Sequence, residues 1–254
     1  MITTILFDLD GTLLPMDQEK FIHAYMTGLT RKAAMHGYDP ETVPGAIWAG
    51  TKAMMKNDGL ARNDKVFWDT FSTLCHKDAR QDIAIFDEFY RTEFQDIRTV
   101  CGFDPRAAEA IRQIKAMGYR VALATNPLFP AIATLSRARW AGLDPEDFTL
   151  ITTYENSRHS KPNPAYYQDV MEALGVNAEE CVMVGNDVDE DMVAQKLGIR
   201  NHLNHSEITT VYLLIDSGIT DGRDTDKRPF LILQEAKIAH FIGDCPTDEG
   251  GIRL

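Results

Sequence analysis

The sequence predicts an α/β fold, with a parallel sheet at its centre and an all-helical segment inserted after the first strand. Two observations indicate the sheet. A short apolar run opens the chain at 2–7, and beyond residue 101 short apolar runs alternate with helical patterns. A third observation indicates the insertion, because residues 17–94 are rich in Ala, Met, Phe, Lys and Glu and contain no convincing strand.

The first predicted strand, 2–7, ends in acidic residues and Gly11, as expected of a buried strand that leads into a loop. The segment that follows is predicted to hold about four helices. It is interrupted near 37–40, near 57–63 and, more weakly, near 77–78. The first strand must therefore join a sheet whose other strands all follow the insertion.

Glycine and proline set the element boundaries in the rest of the chain. Helices are predicted over 105–117, 130–140, 164–174, 189–197 and 230–242. Strands are predicted over 120–124, 148–152, 181–184 and 211–215. Helices between successive strands predict parallel pairing with right-handed crossovers. The expected fold is a Rossmann-like parallel sheet core with helices on both faces, plus the inserted helices.

The composition favours a folded protein and disfavours two classes of partner. Hydrophobic residues make up 44%, enough for a core. A net charge of −12 predicts repulsion from phosphate backbones, which disfavours nucleic-acid binding. No stretch approaches the roughly 18 apolar residues of a membrane span. Four cysteines without a CxxC pair are typical of reduced thiols. We expect a cytoplasmic protein that binds neither nucleic acid nor membrane, while its oligomeric state stays open.

Chemically active side chains follow the predicted strands at their carboxyl ends, where open parallel sheets bind ligands. They occur in Asp8-Leu9-Asp10-Gly11-Thr12, Thr125-Asn126-Pro127, Lys161-Pro162 and Gly185-Asn186-Asp187, with Asp191 shortly behind. Carboxylates hold Mg²⁺, while a hydroxyl and an ammonium offset the charge of a transferring phosphoryl group. One carboxylate can attack and another can move protons. The set therefore predicts phosphoryl transfer from a small molecule.

Four segments resemble, in order and spacing, the four motifs of the haloacid dehalogenase superfamily. They are DLDGT at 8–12, ATN at 124–126, KP at 161–162 and GNDVDED at 185–191. The inserted helices resemble the helical cap of that family. The resemblance implies a catalytic core over residues 1–15 and 97–254 and a helical cap domain over 16–96.

The resemblance also implies roles for the motif residues in catalysis. Asp8 would be the nucleophile, which forms a phospho-aspartyl intermediate. Asp10 would act as general acid and then as general base for water. Thr125, with the Asn126 backbone, would bind the phosphoryl oxygens, and Lys161 would bridge Asp8 and the phosphoryl group.

The implied cofactor is Mg²⁺, held by Asp8, the backbone carbonyl of Asp10 and the loop at 186–187, with Asp191 behind these ligands. One position departs from the family. An Asp usually follows the glycine of the fourth motif, and here that residue is Asn186. An amide oxygen can bind a metal without carrying a charge, and Asp187 comes next, so both remain candidates.

Asp10 distinguishes among the reactions of the superfamily, because the dehalogenases and phosphonate-cleaving enzymes lack this acid. It favours a phosphatase acting on a small phosphomonoester over the alternative of a phosphomutase, which must keep water out of its site. An alternative of another class is a binding or regulatory relative without turnover. Only Asn186 hints at that loss.

The loop at 56–63 is predicted to contact the substrate. Gly59 permits a tight turn, Asn57 could hydrogen-bond hydroxyls of the leaving group, and Arg62 could supply a cation for a phosphorylated substrate. The alternative is an ordinary polar turn in which Asn63 or Asp64 caps the next helix.

Overall fold

The computed structural model describes residues 1–203 and contains a five-stranded sheet in which every pair is parallel. The strands are β1 (Thr4–Phe7), β2 (Arg120–Leu123), β3 (Leu150–Ile151), β4 (Cys181–Gly185) and β5 (Arg200–Leu203). Their order is β3-β2-β1-β4-β5, so the N-terminal strand lies at the centre. The predicted parallel α/β fold is confirmed.

The register brings the ends of the three central strands level. Phe7 of β1 pairs with Leu123 of β2 and with Val184 of β4. Beyond these pairs, the Asp8 amide donates to the Val184 carbonyl at 2.9 Å, and the Ala124 amide donates to the Phe7 carbonyl at 2.7 Å. The loops that follow the three strands therefore leave the sheet side by side.

The helices are α1 (Gln18–Met35), α2 (Thr42–Met55), α3 (Asn63–Leu74), α4 (Ile83–Arg91), α5 (Pro105–Ala116), α6 (Ala131–Trp140) and α7 (Pro164–Leu174). The first four form the insertion, together with 3-10 helices at Ala79–Asp82 and Glu93–Val100. The helical character predicted for this segment is confirmed. Its first two breaks contain Gly37 and Gly59, with φ of +84° and +83°.

Alternate residues of β1 are buried on opposite faces of the sheet. Ile5 and Phe7 join a hydrophobic cluster with α5, α6 and the inserted helices. Leu6 joins a second cluster with α7 and the 3-10 helix Met192–Leu197. Helices thus cover both faces, as predicted, and the inserted helices pack in one core with the first face. The boundaries proposed for a separate cap, 16–96, stay a prediction.

Two predicted elements differ from the structure, and one strand was not predicted. The strand expected over 148–152 is only Leu150–Ile151. The helix expected over 189–197 begins at Met192 and is a 3-10 helix, because Asp187 accepts bonds from the Asp189 and Glu190 amides and holds a turn there. Strand β5 was missed, since its sequence, RNHL, contains no apolar run. The strand and helix predicted over 211–215 and 230–242 lie outside the described residues.

Within residues 1–203, no helix combines the length and the apolar character that crossing a membrane would require.

Candidate active site

Asp8 follows β1 directly and is the most central carboxylate of the site. Its side chain is buried, and its Oδ1 accepts a hydrogen bond from Lys161 Nζ at 2.9 Å. After Asp8 the chain turns sharply at Gly11, whose φ is +84°. A Cβ at Gly11 would come within 2.6 Å of the Asn186 side chain, so glycine is needed both for the turn and for the close approach of the fourth motif.

Lys161 is a fully buried cation held between two buried carboxylates. Its Nζ donates to Asp8 Oδ1 and, at 2.5 Å, to Asp191 Oδ1. Burial by itself would lower the pKa of Lys161, but the charges of Asp8 and Asp191 outweigh it and hold the pKa well above its usual value. Lys161 therefore stays charged beside Asp8.

Burial also raises the pKa of Asp8 to about 7, against the opposing effect of Lys161 and with smaller contributions from Asp191 and Asp10. One ammonium thus does not fully offset the desolvation of this carboxylate. A second cation next to Asp8 would favour its ionised, nucleophilic form.

Thr125 and Asn126 follow β2 at the same edge of the sheet. Thr125 is buried, and its carbonyl accepts bonds from Thr152 Oγ1 at 2.7 Å and Tyr166 Oη at 2.9 Å. These two bonds fix the backbone at the point where the Thr125 side chain enters the site. Asn126 Nδ2 donates to Glu190 Oε1 at 2.9 Å, which joins the second motif to the fourth.

The fourth motif forms a tight turn that Asp191 closes from within. Asp191 is buried, and its Oδ2 accepts from the Asp187 amide at 3.1 Å while Oδ1 binds Lys161. Gly185 is necessary here, because a Cβ would overlap the Asp191 carboxylate. Both Asp191 oxygens are therefore engaged by the protein.

The candidate metal ligands supply oxygen donors of the kind that Mg²⁺ prefers. Asp8, Asn186 and Asp187 line one cavity, and Thr12 Oγ1 donates to Asn186 Oδ1 at 3.0 Å. In residues 1–203, no three Asp, Glu, His or Cys side chains form a ready-made metal cluster. The donor set fits a hard cation that also takes backbone, amide and substrate oxygens as ligands.

Arg137 is a site residue that the sequence reasoning missed. It lies on α6 with 1% of its surface exposed, and its guanidinium donates to Asp10 Oδ2. The guanidinium carbon lies 4.3 Å from the ring centroid of Phe129. The available signal was an arginine on the apolar stripe of a short helix, three residues before Trp140. A buried cation of this kind needs a carboxylate partner.

These side chains surround a cavity of about 210 Å³ at the carboxyl edge of the sheet. It is lined by Asp8, Asp10, Met16, Gln18, Phe21, Ile22, Thr125, Asn126, Leu128, Phe129, Arg137, Asn186, Asp187, Glu190 and Asp191. Most of the predicted site residues are thus brought together, with Lys161 directly behind Asp8. Glu190, which lies in the acidic fourth motif, was not among the predicted site residues.

The two predicted substrate-binding residues of the 56–63 loop do not line this cavity. Asn57 is buried, and its Nδ2 donates to the Ala61 carbonyl at 2.8 Å and to Asn63 Oδ1 at 2.9 Å. Arg62 is largely exposed and pairs with Asp64 at 3.2 Å. Asn63 Nδ2 donates to Ser160 Oγ at 3.1 Å, next to Lys161. Asn57 thus holds the loop together from within, whereas Asn63 joins the loop to the segment before Lys161.

Comparison with known proteins gives consistent sequence matches. A family profile described as haloacid dehalogenase-like hydrolase matches residues 2–198, and one described as HAD-hydrolase-like matches 159–244. Phosphoglycolate phosphatase of Colwellia psychrerythraea is 29% identical over 197 residues, which are 77% of this chain and 80% of that protein. Pyrophosphatase PpaX of Bacillus cereus is 24% identical over 202 residues, covering 78% and 81%.

Solved structures share the fold at low identity. A HAD phosphatase from Thermococcus onnurineus matches with a TM-score of 0.55 and 20% identity, over 85% of this chain and 98% of that one. A 2-haloacid dehalogenase from Pseudomonas syringae matches with a TM-score of 0.54 and 20% identity, over 85% and 97%. Phosphatases and dehalogenases are both among these neighbours, so the shared fold does not distinguish the two reactions.

Proposed function

The chain belongs to the haloacid dehalogenase-like hydrolase family, and we propose that it is a phosphatase that hydrolyses a small phosphomonoester through a phospho-aspartyl intermediate on Asp8. One observation carries the proposal: a buried carboxylate, Asp8, is paired with the buried Lys161, while a second carboxylate, Asp10, lines the same cavity. Asp10 is the acid that separates phosphatases from dehalogenases in this family. The phosphatase names of the two sequence relatives support the same choice.

The proposed reaction proceeds in two displacements at phosphorus. The Asp8 carboxylate attacks phosphorus while the bond to the leaving oxygen breaks, and Asp10 gives its proton to that oxygen. Asp10 then takes a proton from water, which attacks phosphorus and releases Asp8 and inorganic phosphate. Lys161 and the Thr125 hydroxyl offset the charge on the phosphoryl oxygens in both steps.

The proposed cofactor is Mg²⁺, which when bound would neutralise charge on Asp8 and on the phosphoryl group. Asp8, the Asp10 backbone carbonyl and the loop at 186–187 would hold it. Asn186 is preferred to Asp187 as the ligand from that loop, because Asn186 contacts Gly11 and Thr12 next to the nucleophile. Oδ1 of Asp187 accepts two backbone amides, whereas Oδ1 of Asn186 accepts one hydroxyl, that of Thr12.

The test is hydrolysis of acetyl phosphate and p-nitrophenyl phosphate with Mg²⁺ and with a chelator. We expect Mg²⁺-dependent release of phosphate by the wild type. Rapid acid quenching should trap a phosphoryl group on the peptide that contains Asp8. Asp8→Asn should abolish both signals with an unchanged circular dichroism spectrum, whereas the exposed Asp58→Asn should retain them. Turnover in folded Asp8→Asn would refute the mechanism.

A further inference from the structure

The inserted helices line most of a second cavity of about 150 Å³ beside the catalytic one. Ile22 of α1 and the loop residues Leu128 and Phe129 line both cavities. The two cavities therefore adjoin at these three residues, on the side of the helices. We call the second one the aromatic cavity. Its other lining residues are Tyr25, Met26, Leu29, Ile47, Trp48, Thr51, Phe67, Trp68, Phe71, Phe86, Tyr90, Pro130 and Tyr154.

Several polar groups that line the aromatic cavity already take part in hydrogen bonds. Tyr25 Oη and Tyr90 Oη are 2.9 Å apart. Trp68 Nε1 donates to Tyr154 Oη at 3.3 Å. Thr51 Oγ1 donates to the Ile47 carbonyl at 3.0 Å. None of the described residues lining this cavity is charged. A ligand group that enters it therefore meets mainly ring faces and methyl groups, and no charged partner among the described lining residues.

Size and chemistry together restrict what can occupy this space. An apolar cavity of about 150 Å³ can hold one benzene-sized group. A carboxylate, a second phosphate or a polyhydroxyl chain placed there would lose most of its hydration without gaining a cation in exchange, which disfavours its binding. An apolar group placed there gains from its removal from water.

We infer that the substrate is a phosphomonoester of an apolar alcohol carrying one aromatic ring or a branched alkyl group of similar size. Its phosphoryl group binds at Asp8, and its apolar part enters the aromatic cavity past Phe129. This inference rests on the proposed phosphatase function and specifies its substrate class. The inferred substrate class distinguishes this chain from phosphatases that act on phosphoglycolate or pyrophosphate, because the leaving groups of those substrates are anionic.

The first experiment compares kcat/KM of the wild type for benzyl phosphate, glycerol 1-phosphate, 2-phosphoglycolate and acetyl phosphate. The first three release alcohols, so differences among them report recognition more than leaving-group chemistry. Benzyl phosphate should exceed glycerol 1-phosphate and 2-phosphoglycolate by roughly 10- to 200-fold, the range for an apolar group in a fitting pocket. Acetyl phosphate is small enough for the catalytic cavity alone.

The second experiment fills the aromatic cavity with Thr51→Phe. The matched control is Thr70→Phe, because Thr70 is also a half-buried helical threonine that donates to the carbonyl four residues earlier and does not line the cavity. Thr51→Phe should lower the ratio of kcat/KM for benzyl phosphate to that for acetyl phosphate by about tenfold. Thr70→Phe should leave that ratio unchanged.

The outcomes separate the two proposals. Suppose that the wild type hydrolyses acetyl phosphate, and that its kcat/KM for glycerol 1-phosphate or 2-phosphoglycolate equals or exceeds that for benzyl phosphate. The substrate class is then refuted and the phosphatase function stands. An equal fall in the ratio for both threonine variants also refutes the substrate class. If no phosphoester is hydrolysed with Mg²⁺, the phosphatase function fails and the substrate class fails with it.

Discussion

The catalytic cavity and the aromatic cavity share three wall residues, yet their polar groups are satisfied in different ways. Around Asp8, charges lie in opposed pairs: the buried Lys161 with Asp8 and Asp191, and the buried Arg137 with the partly exposed Asp10. In the aromatic cavity, neutral hydroxyl and indole groups bond to one another or to backbone. The first arrangement can stabilise a charged group in transfer, and the second can only shelter an apolar one.

Removing the shared cation of the catalytic cavity should have the largest effect. Lys161→Met leaves the carboxylates of Asp8 and Asp191 buried without a counter-charge, so we expect no detectable turnover and a loss of about 3–5 kcal/mol in the free energy of unfolding. Acetyl phosphate hydrolysis and urea unfolding measure the two effects. The exposed Lys196→Met is the control. If Lys161→Met were as stable as the wild type, Lys161 would not be the counter-charge that the buried carboxylates of Asp8 and Asp191 require.

Arg137 should position Asp10, because its guanidinium donates to the Asp10 carboxylate. Asp10→Asn should slow benzyl phosphate hydrolysis by roughly 10²–10⁴-fold, the usual scale of acid–base catalysis. Arg137→Met should slow it by about 10²-fold through misplacement of the acid. Both losses should shrink for p-nitrophenyl phosphate, whose leaving group needs less protonation.

The double variant and a neighbouring arginine test whether Arg137 and Asp10 act together. Asp10→Asn combined with Arg137→Met should be little slower than Asp10→Asn alone, since the two changes disable one function. Arg139→Met, two residues along the same helix and exposed, should match the wild type. If Arg137→Met slowed the hydrolysis of benzyl phosphate and of p-nitrophenyl phosphate by the same factor, the role of Arg137 would be structural only.

The metal-binding loop should show a smaller and more specific effect. Asn186→Ala should raise the Mg²⁺ concentration for half-maximal activity by about 10- to 100-fold. Asp187→Ala should raise it less, because Oδ1 of Asp187 supports the turn at 187–191. Titration of activity with Mg²⁺ measures both. The reverse ranking would make Asp187 the ligand, and no change in either variant would place the metal elsewhere.

The loop at 56–63 should show the smallest effect on activity. Asn57→Ala removes buried hydrogen bonds to Ala61 and Asn63 and should cost about 1–3 kcal/mol in the free energy of unfolding. Arg62→Ala removes only an exposed ion pair and should change neither stability nor kcat/KM. A selective loss of one substrate in either variant, at unchanged stability, would instead support the sequence-based prediction that this loop binds the leaving group.

The sequence predicted the site residues whose position depends only on the strand that directly precedes them. Asp8, Thr125 and Asn186 each come just after an apolar strand, and parallel strands bring their ends together whatever the details of packing. The predicted fold and the resemblance to the family are both confirmed. The roles assigned to these residues stay proposals.

Features set by packing between distant segments were harder to predict. Whether Arg137 reaches Asp10 depends on the rotation of α6 against the sheet, which its own sequence leaves open. Phe67, Trp68 and Phe71 show the spacing of a buried helix face, and they are buried. The gap among such side chains becomes a cavity only once four helices have packed together, so no local pattern predicts the aromatic cavity.

The placement of the tryptophans has an optical consequence. Trp48 lines the aromatic cavity with half of its surface exposed, whereas Trp68 and Trp140 are buried at 7% and 4%. The sequence has no other tryptophan. A water-soluble quencher should therefore reach mainly Trp48, and a ring that fills the cavity should shield it and shift its emission. Binding of a non-hydrolysable phosphonate could then be followed by intrinsic fluorescence, with Trp48→Phe supplying the blank.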